Sequence, residues 1–375
     1  MPKDSIPRLI FASSEQSADM FYATKFSVPD PFLFLQRNGN KTIMLSDLEI
    51  DRGRKEAKVN EVVSLSELEG PLEKKFKGKP PIEQTIASFL RQRRVRRALV
   101  PYDFPMGLAF ELAKVGITLT PVNGLFWPER EIKSAEELKS MELAVRITEI
   151  GLARGIEVLR AAEIKGGNRL VWGGKPLTSG ILRAEIEAAI MRIGGKASDT
   201  IVAGGEQACD PHQRGSGPLK ANKLIILDVF PREPESGYFG DLTRTVLRGR
   251  ASEEQKKLWH TVREAQAFAI QKIKVGESGA SLQEEVAAFF VQKGYPKEIR
   301  SGRWVGFFHG LGHGLGLDVH EQPRIAKTHF REGQVFTVEP GLYYPGIGGV
   351  RIEDDGVVTD KGFKLLSRFR KELEV

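Results

Sequence analysis

His309-Gly-Leu-Gly-His313-Gly-Leu-Gly-Leu-Asp-Val-His320-Glu-Gln-Pro323 gathers three of the chain's six histidines into one short stretch and threads them with glycine. Imidazole is the commonest metal ligand and the usual proton shuttle near neutral pH. Glycine lets backbone approach a ligand where a Cβ would clash. A segment rich in both is a site, provided carboxylates elsewhere complete it.

Working outward, four acids do so. Upstream, residues 224–245 read LIILDVFPREPESGYFGDLTRT. Asp228 closes the apolar run Leu224–Leu227, and Asp241 stands just ahead of a second strand-like segment, Thr243–Leu247. Downstream, Val335-Phe-Thr-Val-Glu339-Pro-Gly341 and Gly349-Val-Arg-Ile-Glu353-Asp-Asp355 each put a glutamate at the end of an apolar run. A carboxylate is rarely buried without a partner, and here the partner is a cation. Asp228, Asp241, Glu339 and Glu353 carry four negative charges, which two divalent metals balance, and His313 adds a neutral nitrogen. Carboxylate ligands favour Mn²⁺, Mg²⁺ or Ca²⁺, and one imidazole tilts the choice toward Mn²⁺, Co²⁺, Fe²⁺ or Zn²⁺. Two-metal hydrolases hold their ions about 3.5–4 Å apart and share a water that loses its proton near pH 7.

The ordered set D(x12)D, HGxGHGxGxxxHExP, TVEPG and RIED resembles the pita-bread metallopeptidases, peptidase family M24. His309-x3-His313, the Glu339–Glu353 spacing and Val350-Arg-Ile-Glu-Asp354 resemble the proline-specific branch, which comprises Xaa-Pro dipeptidases (prolidases) and Xaa-Pro aminopeptidases. Ile132–Leu138 and Gly249–Gln255 resemble the starts of two family helices, so the likeness spans roughly residues 130–375. The resemblance implies an α+β pita-bread catalytic domain at 127–375, behind a smaller α/β domain at 1–126 similar to that of creatinase. It implies Asp228, Asp241, His313, Glu339 and Glu353 as ligands of two divalent ions, Mn²⁺ first, with Asp241 and Glu353 bridging. Glu339 also moves the proton, and His309 and His320 hydrogen-bond the substrate and the tetrahedral intermediate. His212, in Cys209-Asp-Pro-His212, resembles a substrate-side histidine, and Arg351 an arginine that orders the site. The implied substrates are small proline-containing peptides, and the implied assembly is a homodimer.

Three segments depart from the family pattern. Arg232–Ser236 lengthens the gap between the two aspartates, as a longer hairpin would. Lys165–Leu182 is longer than the usual link between the first two helices; its Trp172 either caps the active-site mouth or extends a loop. Ile201–His212 is unusual in detail.

The composition is that of a globular protein: 375 residues, 41% hydrophobic, 28% charged, net charge +7. That length favours two domains. A single cysteine excludes an intrachain disulfide framework and fits a reducing compartment. No apolar leader follows Met1 and no apolar run spans a membrane, so the cytoplasm is the expected location. Before residue 125, Arg8–Ala12, Phe32–Leu35, Thr42–Leu45, Glu61–Val63, Ala98–Val100 and Ile117–Leu119 read as strands. Pro81–Arg94 and Met106–Val115 read as helices, which gives an α/β domain with a mixed sheet. Asn123–Arg130 reads as a linker. Leu138, Met141, Val145, Leu152, Ile156 and Leu159 then mark one stripe of a long amphipathic helix, and further helices are expected near 182–193, 253–273 and 281–293.

Each feature has a blander reading. Asp228 and Asp241 taken singly are turn or cap residues, Glu339 could end a strand, and Glu353 competes with Asp354 and Asp355. His309 and His320 could pack, and His260 and His329 read as surface residues. Cys209 reads as a small buried residue. The basic run Arg91–Arg97 lacks aromatic interleaving and reads as a solvated helix end, not a nucleic-acid contact. Two other functions fit the fold: a binding module that has lost its ligands, or a metal-free creatinase-like hydrolase. The intact ligand set argues against both. A methionine aminopeptidase fits less well, since it usually lacks the large N-terminal domain and the His309–His313 pair.

Overall fold

The computed structural model describes residues 6–197 and 199–375, and the chain divides into two compact units, Met1–Pro128 and Glu129–Val375.

In the first unit six strands, Arg8–Ala12 (β1), Phe32–Arg37 (β2), Asn40–Leu45 (β3), Glu61–Ser64 (β4), Arg97–Val100 (β5) and Thr118–Pro121 (β6), form one sheet in the order β4-β3-β2-β1-β5-β6. Both β1–β2 and β2–β3 are antiparallel, whereas β3–β4, β1–β5 and β5–β6 are parallel. Side chains alternate along a strand, and here both faces are apolar. Leu9, Leu33, Leu35 and Met44 meet one set of helices; Ile10, Phe32, Phe34, Ile43 and Leu45 meet another. Helices Ile82–Gln92 and Met106–Lys114 cover the first face, and Ala18–Thr24 and Ile50–Glu56 the second. The last two are seven residues each, too short for a helical period to emerge from the sequence, and the same unit holds a fifth helix at Leu65–Phe76.

The second unit opens on a 27-residue helix, Ala135–Ala161 (α1), started by a capping box between Ser134 and Glu137. Its predicted stripe is buried from Met141 to Leu159, while Leu138 is only half-buried. A three-stranded meander follows: Glu163–Lys165 (β7), Arg169–Trp172 (β8) and Lys175–Pro176 (β9). Trp172 packs against the core that contains Leu170 and Leu177, with the Arg154 guanidinium 5.8 Å from its ring. The long segment is thus an appendage of that core.

Helix Ser179–Arg192 (α2) and strands Ile201–Gly204 (β10), Ile225–Val229 (β11) and Leu242–Val246 (β12) complete the first half of the unit. These strands form one antiparallel sheet in that order. The second half holds helices Glu253–Lys272 (α3) and Gly279–Gln292 (α4) and the hairpin Glu298–Arg300 (β13) and Arg303–Val305 (β14). Next come His313–Gly314 (β15), Glu321–Arg324 (β16), Val335–Val338 (β17), Gly341–Tyr344 (β18), Gly348–Arg351 (β19), Asp354–Thr359 (β20) and Gly362–Leu365 (β21). Strands β16-β15-β17-β20-β21 make one sheet and β18-β19 a ribbon. Each half has its own apolar core, one built on α1, α2 and β10–β12, the other on α3, α4 and the later strands. The acids sit on strands of both halves or next to their ends.

Candidate metal centre

The two aspartates come from one hairpin. Asp228 lies inside β11 and pairs with Thr243 of β12, and Asp241 immediately precedes β12. The inserted turn between them is organised by Glu233, whose carboxylate accepts from the Glu235 and Ser236 amides. The two glutamates come from the other half, Glu339 just beyond β17 and Glu353 just ahead of β20. His313 arrives on β15, whose neighbour Gly312 packs so tightly on β17 that a Cβ would stand 1.9 Å from the Thr337 carbonyl oxygen.

These elements bring the predicted residues together. Asp241, His313 and Glu353 each offer a ligand atom, and the three atoms lie within 4.8 Å of one another. His313 Nε2 is 3.8 Å from Asp241 Oδ2 and 3.4 Å from Glu339 Oε1, beyond good hydrogen-bond length. Its Nδ1 is 3.1 Å from the Gly314 carbonyl oxygen. A carbonyl can only accept, so Nδ1 carries the proton and the Nε2 lone pair faces the two carboxylates, the tautomer a metal requires. Burial, with His320 close by, pushes the His313 pKa down to about 3, so the ring is neutral.

The acids outnumber the one buried cation among them, Arg351. Burial first, and then Glu353 and Asp228, hold the Asp241 carboxyl well above its usual range; burial, Glu339 and Asp228 do the same to Glu353. Burial lifts Glu339 to about 8, against the opposing pull of Arg351. The Oδ1 atoms of Asp228 and Asp241 are buried and accept no hydrogen bond. Unmet acceptors, mutually raised acids and an imidazole lone pair aimed at carboxylates are what a divalent cation would relieve, so the residues present fit a metal.

The remaining predicted residues line up behind these. Arg351 is buried; its Nη2 donates to Asp228 Oδ2 at 2.6 Å and its Nη1 to Tyr343 Oη at 3.2 Å. Tyr343 Oη is in turn 2.9 Å from His309 Nε2, and His309 Nδ1 is 2.8 Å from the Gly310 carbonyl. A chain Asp228–Arg351–Tyr343–His309 thus fixes the imidazole. Burial and Arg351 lower the His309 pKa to about 4. The His320 ring stands edge-on to His313 with centroids 4.4 Å apart and opens to solvent. Desolvation, and then Arg324, lower its pKa. His212 is exposed on the loop after β10, and Pro211 beside it accepts from Arg351 through its carbonyl. His260 and His329 are exposed, and Cys209 is buried.

Three participants escaped the sequence reading. Thr243 Oγ1 donates to Glu353 Oε2 at 2.6 Å, Asp355 Oδ2 accepts from the Asp241 amide at 2.8 Å, and Tyr343 bridges His309 and Arg351. Thr243 and Tyr343 look like ordinary strand residues; only cross-strand register reveals their partners. Asp355 was visible as an acid, but its role depends on strand alternation. The segment read as a linker also ends differently: Arg130 is buried and ion-paired with Glu321 and Asp318.

Two buried aspartates, two glutamates and one histidine drawn from the two halves of this fold are the signature of a class, and the chain belongs to metallopeptidase family M24, whose model matches residues 139–360 and so contains every residue of the cluster. It is an enzyme with the pita-bread fold. Over its whole length it is 28% identical to an Xaa-Pro dipeptidase of Pyrococcus horikoshii, covering 96% of that protein. To an Xaa-Pro dipeptidase of Lactobacillus delbrueckii subsp. lactis it is 38% identical over 47% of the chain and 46% of the relative. The solved prolidase of P. horikoshii superposes with a TM-score of 0.79 at 27% identity, covering 98% of this chain and 95% of that one. An X-Pro aminopeptidase of Thermotoga maritima shares the fold, with a TM-score of 0.82 at 23% identity over 99% and 97% of the two chains.

Proposed function

We propose that the protein is a metal-dependent peptidase that hydrolyses Xaa-Pro bonds at the N-terminus of small peptides, with the dipeptide as its first substrate. The convergence of Asp241, His313 and Glu353 beside Asp228 and Glu339 carries the reading. The proline preference is supported by the named activities of the full-length relatives. Asp228, Asp241, His313, Glu339 and Glu353 would hold two divalent ions. Mn²⁺ is the metal of choice for a carboxylate-rich set with one imidazole, ahead of Co²⁺, Zn²⁺ and Fe²⁺. When bound, such ions polarise the scissile carbonyl and make water acidic near neutral pH.

The protein's own groups do the rest. Glu339 takes the proton of the attacking water and delivers it to the leaving prolyl nitrogen. His320, neutral at pH 7, donates a hydrogen bond to the oxygen that becomes negative in the tetrahedral species, where such a bond is worth most. Neutral His309 gives its Nδ1 proton to the Gly310 carbonyl and flanks the substrate side with Nε2 accepting from Tyr343. His309 is held in place by Tyr343 and Arg351. His212 would stand on the substrate side, and Arg351 acts from behind through Asp228. An Xaa-Pro bond is a tertiary amide with no N–H, so binding must grip the free amine and the carbonyl instead. All five ligands fall in residues 127–375, which act as the catalytic domain, residues 1–126 form a separate domain, and the enzyme works as a homodimer. The buried lone cysteine suits a reducing cytoplasm.

The test is a panel of Xaa-Pro dipeptides and Xaa-Pro-Yaa tripeptides given to chelated protein reloaded with Mn²⁺, Co²⁺, Zn²⁺ or Fe²⁺, with metal stoichiometry and solution mass measured on the same sample. Expected are dipeptide hydrolysis restored best by Mn²⁺, two ions per chain and a dimer. Hydrolysis that survives chelation, or no hydrolysis with any metal, overturns the reading.

A further inference from the structure

Glu321 follows His320 directly and is absent from the site described above, yet it is one of the most fully engaged carboxylates among the described residues. Its side chain is 2% exposed. Lys133 Nζ donates to Oε1 at 2.7 Å, and Arg130 Nη2 donates to Oε2. The same Oε2 accepts from the Leu317 amide at 3.1 Å and, at 3.4 Å, from the Asp318 amide. Arg130 Nη2 also pairs with Asp318 at 2.8 Å, and Lys133 Nζ donates to the Arg130 carbonyl oxygen at 2.7 Å. Burial alone would raise the Glu321 carboxyl; Lys133 and Arg130 hold it below its ordinary range instead.

This arrangement is more than a buried ion pair, because of where it acts. Gly314 of β15 pairs with Glu321 of β16, so residues 315–320 form the loop between the two strands. His313 opens that loop's first strand and His320 is its last residue. The Glu321 carboxylate reaches back and ties the loop at Leu317 and Asp318. It lies so close to Gly316 that a Cβ there would stand 2.6 Å from Oε1. The loop is therefore folded around this carboxylate, and the carboxylate is anchored to the start of α1 through Lys133 and Arg130.

We propose that Glu321, clamped by Lys133 and Arg130, is a positioning residue that sets the His320 imidazole against His313 and so against the reacting carbonyl. The proposal rests on the reading of His313 as a ligand and of His320 as a substrate-facing donor. An exposed imidazole at the end of a loop would otherwise move with that loop and among its own rotamers, and misplacement of a reacting group by about 1 Å can cost about 10²-fold in rate. A buried carboxylate with two cations and two amides is stiff, and each of its partners sits on a different part of the loop or its support.

The test uses full-length, metal-loaded enzyme and Xaa-Pro dipeptide. Glu321→Gln keeps the shape but removes the charge that holds Lys133 and Arg130. It is expected to lower kcat by about 10- to 100-fold, with KM changed less than about threefold and metal content unchanged. In a His320→Ala background the same substitution should lower kcat no further, since the group it positions is gone. Lys133→Met is the second variant, with the same split expected and the same silence in the His320→Ala background; it keeps the question open to experiment if Glu321→Gln does not fold. A loss of kcat of equal size with and without His320, or a loss confined to KM or to metal content, overturns the proposal. Hydrogen exchange at the Leu317 and Asp318 amides gives a reading that needs no turnover: faster exchange in Glu321→Gln is expected, and unchanged exchange overturns the clamp. Wild-type enzyme that cleaves no Xaa-Pro peptide would instead sink the functional reading, with the exchange result still standing on its own.

Discussion

Glu353, Asp354 and Asp355 are consecutive and at most 2% exposed, but the two faces of their strand treat a buried acid in opposite ways. On one face Asp354 is saturated: Arg244 Nη2 donates to Oδ1 at 2.6 Å, and Lys371 Nζ and Gln266 Nε2 donate to Oδ2 at 2.7 and 3.2 Å. Arg244 spends its other N–H groups on the carbonyls of Thr243, Glu353, Phe369 and Arg370. On the other face Glu353 and Asp355 join Asp241, Asp228 and Glu339, and the Oδ1 atoms of Asp228, Asp241 and Asp355 meet no donor. Buried charge is retained in proteins when it is paired or coordinates a metal. The Asp354 face is a finished structural joint, and the Asp241 face is a joint whose cation comes from outside.

The largest test of that difference is Asp241→Asn. It removes one of several mutually repelling acids and one of the three clustered donor groups. Turnover is expected to fall at least about 10³-fold, about 4 kcal/mol of transition-state stabilisation, with loss of bound metal. At pH 7.5 the metal-stripped variant should melt higher than metal-stripped wild type, because the charge it loses was uncompensated. A lower melting point for the stripped variant would mean that the acids are not under strain in the metal-free fold.

The opposite face predicts the opposite sign. Arg244→Met leaves Asp354 short of its main partner and several carbonyls without a donor. Breaking a buried pair by removing one side costs about 3–5 kcal/mol, and the loss should appear as a lower denaturation midpoint in metal-loaded and stripped protein alike. A variant as stable as wild type would show that Asp354 is not held by its cation, and the contrast between the faces would fail.

A third test varies pH with no substitution. Burial raises the Glu339 carboxyl to about 8, so the protonated form is the one the metal-free fold accommodates. Its contribution is complete below the ordinary carboxylate range and disappears as pH climbs through about 8. Melting temperature of chelated protein should therefore decline from pH 5 to pH 8.5, whereas protein saturated with Mn²⁺ should hold or gain stability over the same window, since deprotonated ligands bind metal. Parallel curves with and without metal would separate Glu339 from the metal centre.

What could be seen in the sequence follows the same division. Asp228, Asp241, Glu339 and Glu353 were conspicuous because an acid at the end of an apolar run violates burial rules, and His313 because of its glycine frame. The site's supporting residues broke no such rule. Tyr343 sits in Gly341-Leu-Tyr-Tyr344 and reads as core; its partnership with His309 and Arg351 exists only because the β18–β19 ribbon sets Gly341 opposite Arg351. Thr243 is a good strand former, and its bond to Glu353 links residues more than a hundred positions apart. Arg130 follows a Pro- and Gly-containing stretch whose local composition signals a linker, yet it is buried against Glu321 from the far end of the chain. In the first unit, strands with dense β-branched and aromatic content were legible, whereas two seven-residue helices were not, because their helicity comes from packing on the sheet.

The smallest effect belongs to a feature that local sequence does specify. Ser252 Oγ accepts from the Gln255 amide at 3.2 Å and Gln255 Oε1 accepts from the Ser252 amide at 2.9 Å, closing the capping box that starts α3. Ser252→Ala should cost about 1 kcal/mol, a fall in melting temperature of about 2–4 °C, with metal content and turnover unchanged. The helix does reach the charged strand, since Gln266 on α3 donates to the Val338 carbonyl and to Asp354. It does so from the saturated side, where Arg244 and Lys371 keep Asp354 in place whatever the helix end does. A loss of activity beyond that of stability in this variant would mean that the two faces of the strand move together, and that the metal centre feels its structural neighbour after all.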